Sequence, residues 1–181
     1  MPLPLTRLVL SRGVYDLYPD SDAPKPVRVY ADRVGADAMI TGERHVSLNW
    51  ENAPAPPAHS STDTAQKEDA EQVVLQFIQL SGGPGNYAHH TPSAQARPRS
   101  WVELTPFWEL GTFSRAQRDD ILALAKRVKY LRKSRTNSCQ VWLRELLEAM
   151  MERGLVAEEL VSKVEKEIPL KIRRPEEEET E

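Results

Sequence analysis

Cys139 is the single cysteine of this 181-residue chain, and it falls where a helix is expected to begin. The run Thr136-Asn137-Ser138-Cys139-Gln140-Val141-Trp142 places two good N-cap residues, Asn137 and Ser138, just before it. Their side-chain oxygens can accept the unpaired amides of a first helical turn. The amphipathic stretch that follows runs to Met151, and Gly154 suits the C′ position. A thiol in a first helical turn feels the positive end of the helix dipole, which favours the nucleophilic thiolate. Such a thiol also needs a base, and histidine is the usual one near neutral pH.

The chain offers four histidines: His45, His59, His89 and His90. His59, His89 and His90 lie in Pro-, Gly- and Ser-rich stretches that read as loops. His45 opens an alternating run, with Val46, Leu48 and Trp50 on one face and His45, Ser47 and Asn49 on the other. Cys139 and His45 are therefore the candidate nucleophile and base. Gln76 and Gln79, on opposite faces of a later strand, are the candidates to orient the imidazole or to stabilise an oxyanion. Asn49, Trp50, Asn137 and Trp142 flank these positions and are the candidate binding residues. The same residues have a purely structural reading. His45 then caps a strand, and Cys139 packs as a small apolar residue in a stripe with Trp142 or Leu143, Leu146 and Met150. Residue types and spacing leave both readings open.

The elements that must position these groups divide into two halves. Strands are expected at Val27–Ala31, Gly42–Trp50, Val73–Leu80 and Trp101–Thr105, with Phe107–Phe113 continuing as strand or turn and an edge segment over Leu5–Val14. Val73–Leu80 is apolar on both faces and is expected at the centre of the sheet. Helices are expected over 114–133, opened by a Ser114…Gln117 capping box, over 138–153, and over Val156–Ile168 ahead of Pro169. Flexible loops are expected near 51–71 and 82–100. Strands first and helices later predict an α+β domain over 1–172, an antiparallel sheet packed against two or three C-terminal helices. Residues 173–181 are expected as a disordered acidic tail.

Bulk properties narrow the function classes. The net charge of −3 and isoelectric point near 5.9 provide no basic field for general nucleic-acid binding. No run approaches the roughly 18 apolar residues of a membrane span, and the N-terminal run Met1–Leu10 is too short and interrupted for a secretory signal. With one cysteine and no internal disulfide, the default reading is a cytoplasmic protein. No carboxylate or second cysteine joins the histidines at ligand spacing, so neither a metal nor a cofactor is expected. Gly82-Gly83-Pro84-Gly85 lacks the Lys-Ser/Thr of a phosphate loop and reads as a turn. The basic run from Lys126 to Arg135 reads as a solvated face.

The order of the two motifs, His45-Val46-Ser47-Leu48 and then Asn137-Ser138-Cys139-Gln140-Val141-Trp142, resembles the permuted papain-like superfamily. That group includes lecithin:retinol acyltransferase relatives and the PPPDE deubiquitinase-like peptidases. The chain is also similar to small uncharacterised fungal proteins that pair a His-x-Ser-Leu-like strand with an Asn-Cys-Gln-x-Trp-like helix. Here Ser138 stands between the asparagine and the cysteine. The resemblance implies a permuted papain-like arrangement and a thiol hydrolase or acyltransferase acting on a small-molecule or peptide substrate. The residues themselves admit two other classes: a non-catalytic binding protein on the same scaffold, or a protein–protein adaptor using the basic face and acidic tail. They do not specify an oligomeric state.

Overall fold

Lys25, Val27, Val29 and Ala31 alternate with more exposed neighbours, and this period of two forms the first strand, β1 (Lys25–Ala31). The computed structural model describes residues 13–32, 44–54, 72–168 and 170–176. Within them follow β2 (Val46–Pro54), β3 (Gln72–Ile78), β4 (Leu80–Gly83), β5 (Asn86–His89), β6 (Ala94–Pro98), α1 (Arg99–Leu104), β7 (Phe107–Phe113), α2 (Arg115–Ala125), α3 (Cys139–Glu152) and α4 (Glu158–Glu167). Five strands make an antiparallel sheet in the order β6-β3-β2-β1-β7, and β4 and β5 form a separate hairpin. The class is α+β. Among the described residues, no helix is long and apolar enough to cross a membrane.

The middle strand is β2, with β3 beside it and not at the centre as expected. The apolar character of β3 on both faces has a local cause. Its Val73, Leu75 and Phe77 pack under Trp101 and Val102 of α1, whereas Ile78 joins the main core on the helix side. Residues Trp101–Thr105 read as a strand in isolation. They fold instead as the short helix α1, ending at Leu104, a bulky lid over β3 in which half-buried Trp101 packs against Tyr30 and Phe107 at centroid distances of 5.3 and 5.8 Å. The stretch 82–100, expected as a loop, supplies β5, β6 and the turn between β4 and β5. The hairpin needs glycine at Gly82 in β4, where φ is +94° and an added Cβ would collide with the Asn86 carbonyl.

Helix α2 carries the expected capping box, with Ser114 and Gln117 satisfying each other's amides. It stops at Ala125 and not near 133. Beyond it the chain is claimed by tertiary hydrogen bonds: Tyr87 N donates to Arg132 O at 2.8 Å and Gly85 N to Ser134 O at 2.7 Å. Helix α3 has Ser138 as N-cap and ends in a Schellman arrangement, with Gly154 at φ +71°. Gly154 N donates to Met151 O and Leu155 N to Met150 O, each at 2.9 Å. Its Trp142, Leu143, Leu146, Leu147 and Met150 bury against Val46, Leu48 and Trp50 of β2 in one core. Of the expected edge segment over 5–14, only 13 and 14 are described, within a helical turn over 13–17. Of the first expected loop, 51–54 belong to β2, and 55–71 lie outside the described residues, as do His59 and 177–181.

One buried ionic cluster ties the N-terminal segment to this core. Arg118, fully buried on α2, donates from Nε and Nη2 to the two Asp20 carboxylate oxygens at 2.9 and 3.1 Å. Lys25 reaches the same carboxylate at 2.6 Å and the Asn52 carbonyl at 2.7 Å. Burial raises the pKa of Asp20, but the Arg118 and Lys25 contacts outweigh it and hold the carboxyl below its ordinary value.

Leu146 is fully buried, so Leu146→Ala is expected to cost about 2–5 kcal/mol. Glu148 only makes an exposed i,i+4 pair with Arg144, so Glu148→Ala should stay within about 0.5 kcal/mol. Asp20→Ala strands two buried cations and is expected to cost about 3–5 kcal/mol. Thermal or urea unfolding of the three variants measures all three.

Candidate functional site

His45 immediately precedes β2, and its carbonyl accepts from Asp32 N at 2.9 Å where β1 ends. The ring stands at the end of the middle strand, facing the gap between β3 and β4. Gln79 occupies that gap, and its Oε1 lies 2.8 Å from His45 Nε2. A carbonyl oxygen there requires Nε2 to carry the proton, which leaves Nδ1 as the nitrogen with a lone pair. The Cys139 side chain is close enough to this imidazole to influence its protonation, and its sulfur donates to Arg44 O at 3.8 Å. Cys139 is the first residue of α3, half-buried at its N-terminus. Gln140 Nε2 donates to the Arg44 carbonyl at 3.1 Å, locking the start of the helix to the residue before His45.

Burial pulls the His45 pKa down. Hydrogen bonds with Cys139 and Gln79, and the charges of Cys139 and Asp32, more than offset it, so the pKa sits above 6.5. In linkage terms His45 adds stability below pH 6.5, and that contribution is lost as pH rises through its folded pKa.

Gln79 has a support of its own. His89 on β5 lies with Nδ1 3.0 Å from the Gln79 carbonyl and Nε2 2.8 Å from Thr91 Oγ1, and its ring packs 5.0 Å from that of Trp142. Burial, with the nearby charges of His90 and Lys126, keeps the His89 pKa below 6.5 despite the Gln79 contact. A neutral His89 fits this double-bonded position. Nothing local in the sequence marked it, because its partners arrive through the β4–β5 hairpin.

The other candidates are distributed differently. Gln76 faces the helix side of the sheet, beside Asn52 Nδ2 at 3.4 Å, and does not join His45. Trp50 and Trp142 are core residues, each 1% exposed. Asn49 is buried on the opposite face of β2, and its Nδ2 has no hydrogen-bond partner. Ser47 Oγ, on that same face, is likewise unsatisfied.

Asn137 is not the cap of α3 but a clamp on the chain's own C-terminal segment. Its Nδ2 donates to Arg174 O at 2.8 Å and Glu176 Oε2 at 2.9 Å, and its Oδ1 accepts from Arg174 N at 2.9 Å. Ser134 Oγ donates to Glu176 Oε1 at 2.6 Å, and Thr136 N donates to it at 3.0 Å. Arg173 forms a two-armed pair with Glu145. Residues 173–176, expected as disordered tail, are thus a strap over the loop leading into Cys139. Glu145 is one of its anchors. Burial raises the pKa of Glu176, but the Ser134, Asn137 and Thr136 donors lower it to about 2.

On the face of the sheet away from α3, a cleft of about 420 Å³ lies between His45, Gln79, Tyr30, Phe77, Arg97 and Trp101. A larger hollow of about 670 Å³ between α2 and α3 is lined by Arg127, Glu145, Arg153 and Arg173, away from the thiol and imidazole. Among the described residues, no group of three or more His, Cys, Asp or Glu side chains could hold a metal ion. Compared with known proteins, the chain matches no family model, no curated protein and no solved structure.

The strap predicts an acid-sensitive contact. Glu176 has a folded pKa of about 2 against 4.5 free, so its stabilising contribution is present above pH 4.5 and lost as pH falls toward 2. Glu176→Gln should therefore flatten the loss of melting temperature across that window relative to the parent protein. Equal slopes for the two proteins would show that the clamp does not hold in solution.

Proposed function

We propose that the chain is a cysteine-dependent hydrolase or acyltransferase with a permuted papain-like arrangement, the histidine strand preceding the cysteine helix. The observation that carries this reading is the convergence of three side chains: His45 Nε2 lies 2.8 Å from Gln79 Oε1, and Cys139, bonded to the carbonyl of the residue before His45, acts on the same ring. Its three members come from a helix start, a strand start and a strand break. Packing alone does not require a thiol, an imidazole and a carboxamide in that sequence of contacts.

The chemistry follows from the positions. His45 Nδ1 takes the thiol proton, and the sulfur attacks the carbonyl carbon of an amide or ester. The carbonyl oxygen gains the electron pair and becomes an oxyanion. The Cys139 amide, at the first position of α3, has no intrahelical acceptor and can donate to that oxyanion. As the carbonyl re-forms, the bond to the leaving group breaks and imidazolium His45 gives its proton to the departing nitrogen or oxygen. Water, or an acceptor amine or alcohol, then attacks the thioester with His45 taking its proton. The sulfur leaves as thiolate and is reprotonated by His45. Gln79 holds the ring in the tautomer that both steps use, and His89 holds Gln79. A reactive thiol with no disulfide partner in the chain suits a reducing compartment such as the cytoplasm.

Iodoacetamide should alkylate Cys139 in the folded protein at pH 7. His45→Ala should slow that labelling at least about tenfold, and Gln79→Ala should slow it by less, since it only loosens the ring. Cys139→Ser should fold normally and take no label. A thiol that labels only after denaturation, or at the same rate without His45, would overturn the reading.

A further inference from the structure

The cleft on the far face of the sheet bears on which part of a substrate meets His45. Its lining includes His45 and Gln79 but not Cys139. In thiol acyl transfer the nucleophile touches the acyl group, whereas the histidine hands its proton to the departing group. A cavity that contains the acid and not the nucleophile therefore sits on the leaving-group side.

The cleft is polar at its two ends and aromatic between them. Asp32 stands at the His45 end, where its Oδ1 accepts from the Tyr30 hydroxyl at 2.6 Å and its charge acts on the imidazole. Arg97 stands at the other end on β6, with its guanidinium 5.7 Å from the Phe77 ring centre and 5.6 Å from that of Trp101. Strand order separates β1 from β6 by β2 and β3, about 14 Å at the usual strand spacing. Tyr30, Phe77 and Trp101 wall the span between the charges. The unsatisfied Ser47 hydroxyl and Asn49 amide belong to the same sheet face, opposite Tyr30 and Phe77 in register.

We propose that this cleft is the subsite for the departing amine, and that the amine carries an aromatic group and a carboxylate, as an aromatic amino acid or a C-terminal aromatic residue does. Its nitrogen lies toward His45 and Asp32, its ring against the aromatic wall and its carboxylate toward Arg97. The volume of about 420 Å³ accommodates one such residue. This assignment rests on the reading of Cys139 and His45 as nucleophile and acid–base.

Calorimetric titration of the intact protein with L-phenylalanine, L-phenylalaninamide and L-alanine tests it. Phenylalanine should bind at least about tenfold more tightly than alanine, and about tenfold more tightly than its amide, which lacks the carboxylate. Arg97→Gln should abolish the difference between acid and amide, and Trp101→Ala should weaken both aromatic ligands. Phenylalanine binding no better than alanine, or binding unchanged in Arg97→Gln, overturns the proposal even if Trp101→Ala fails to fold. His45-dependent iodoacetamide labelling without phenylalanine binding removes the subsite and leaves the thiol chemistry standing. Phenylalanine binding without His45-dependent labelling leaves a binding cleft and overturns its assignment to a leaving group.

Discussion

Helix α3 packs its buried face on β2, and the placement of nearly every other group follows from that contact. Val46, Leu48 and Trp50 on one side, and Trp142, Leu143, Leu146, Leu147 and Met150 on the other, share a single core. Burying side chains of this size contributes roughly 1.5–3 kcal/mol each, enough to fix the register of helix on strand. Cys139 begins that helix and His45 immediately precedes that strand. The same apolar contact that stabilises the domain therefore brings the thiol to the imidazole, and the Gln140–Arg44 hydrogen bond trims the alignment.

Two further sets of contacts keep the pair from drifting. From below, the β4–β5 hairpin takes the carbonyls of Arg132 and Ser134 and delivers His89 to the back of Gln79. From the C-terminal side, the strap clamps Asn137 and pairs Arg173 with Glu145. The loop entering α3 is thus held on both flanks, although the loop itself has little apolar side-chain area to bury. Polar contacts do here what packing does elsewhere in the fold. They are directional, so they set the aim of Cys139 more tightly than hydrophobic contact could.

Some of the site was readable along the chain. Cys139 and His45 stood out because a helix start and a strand start are local patterns, set by capping residues and by alternation. Gln76 and Gln79 are equivalent candidates along the chain, since they differ only in where β3 ends. The break after Ile78 turns Gln79 toward His45, while Gln76 keeps the phase that points it to Asn52. His89, the strap and the aromatic cleft left no local signature. Each depends on residues far apart in sequence, such as Asn137 with Arg174 or Tyr30 with Trp101.

The sequence by itself determined the α+β class, the capping box at Ser114, the Schellman end at Gly154 and the buried stripe of α3. All of these rest on short-range rules: side-chain periodicity, caps and the freedom of glycine at positive φ. The tertiary structure decided the rest. It made β2 the middle strand, turned Trp101 into part of a helical lid, ended α2 at Ala125 and pinned residues 173–176. In every one of these cases the local preference was weak. Hydrogen bonds or aromatic contacts from a distant segment outweighed it, and those partners exist only once the sheet has formed.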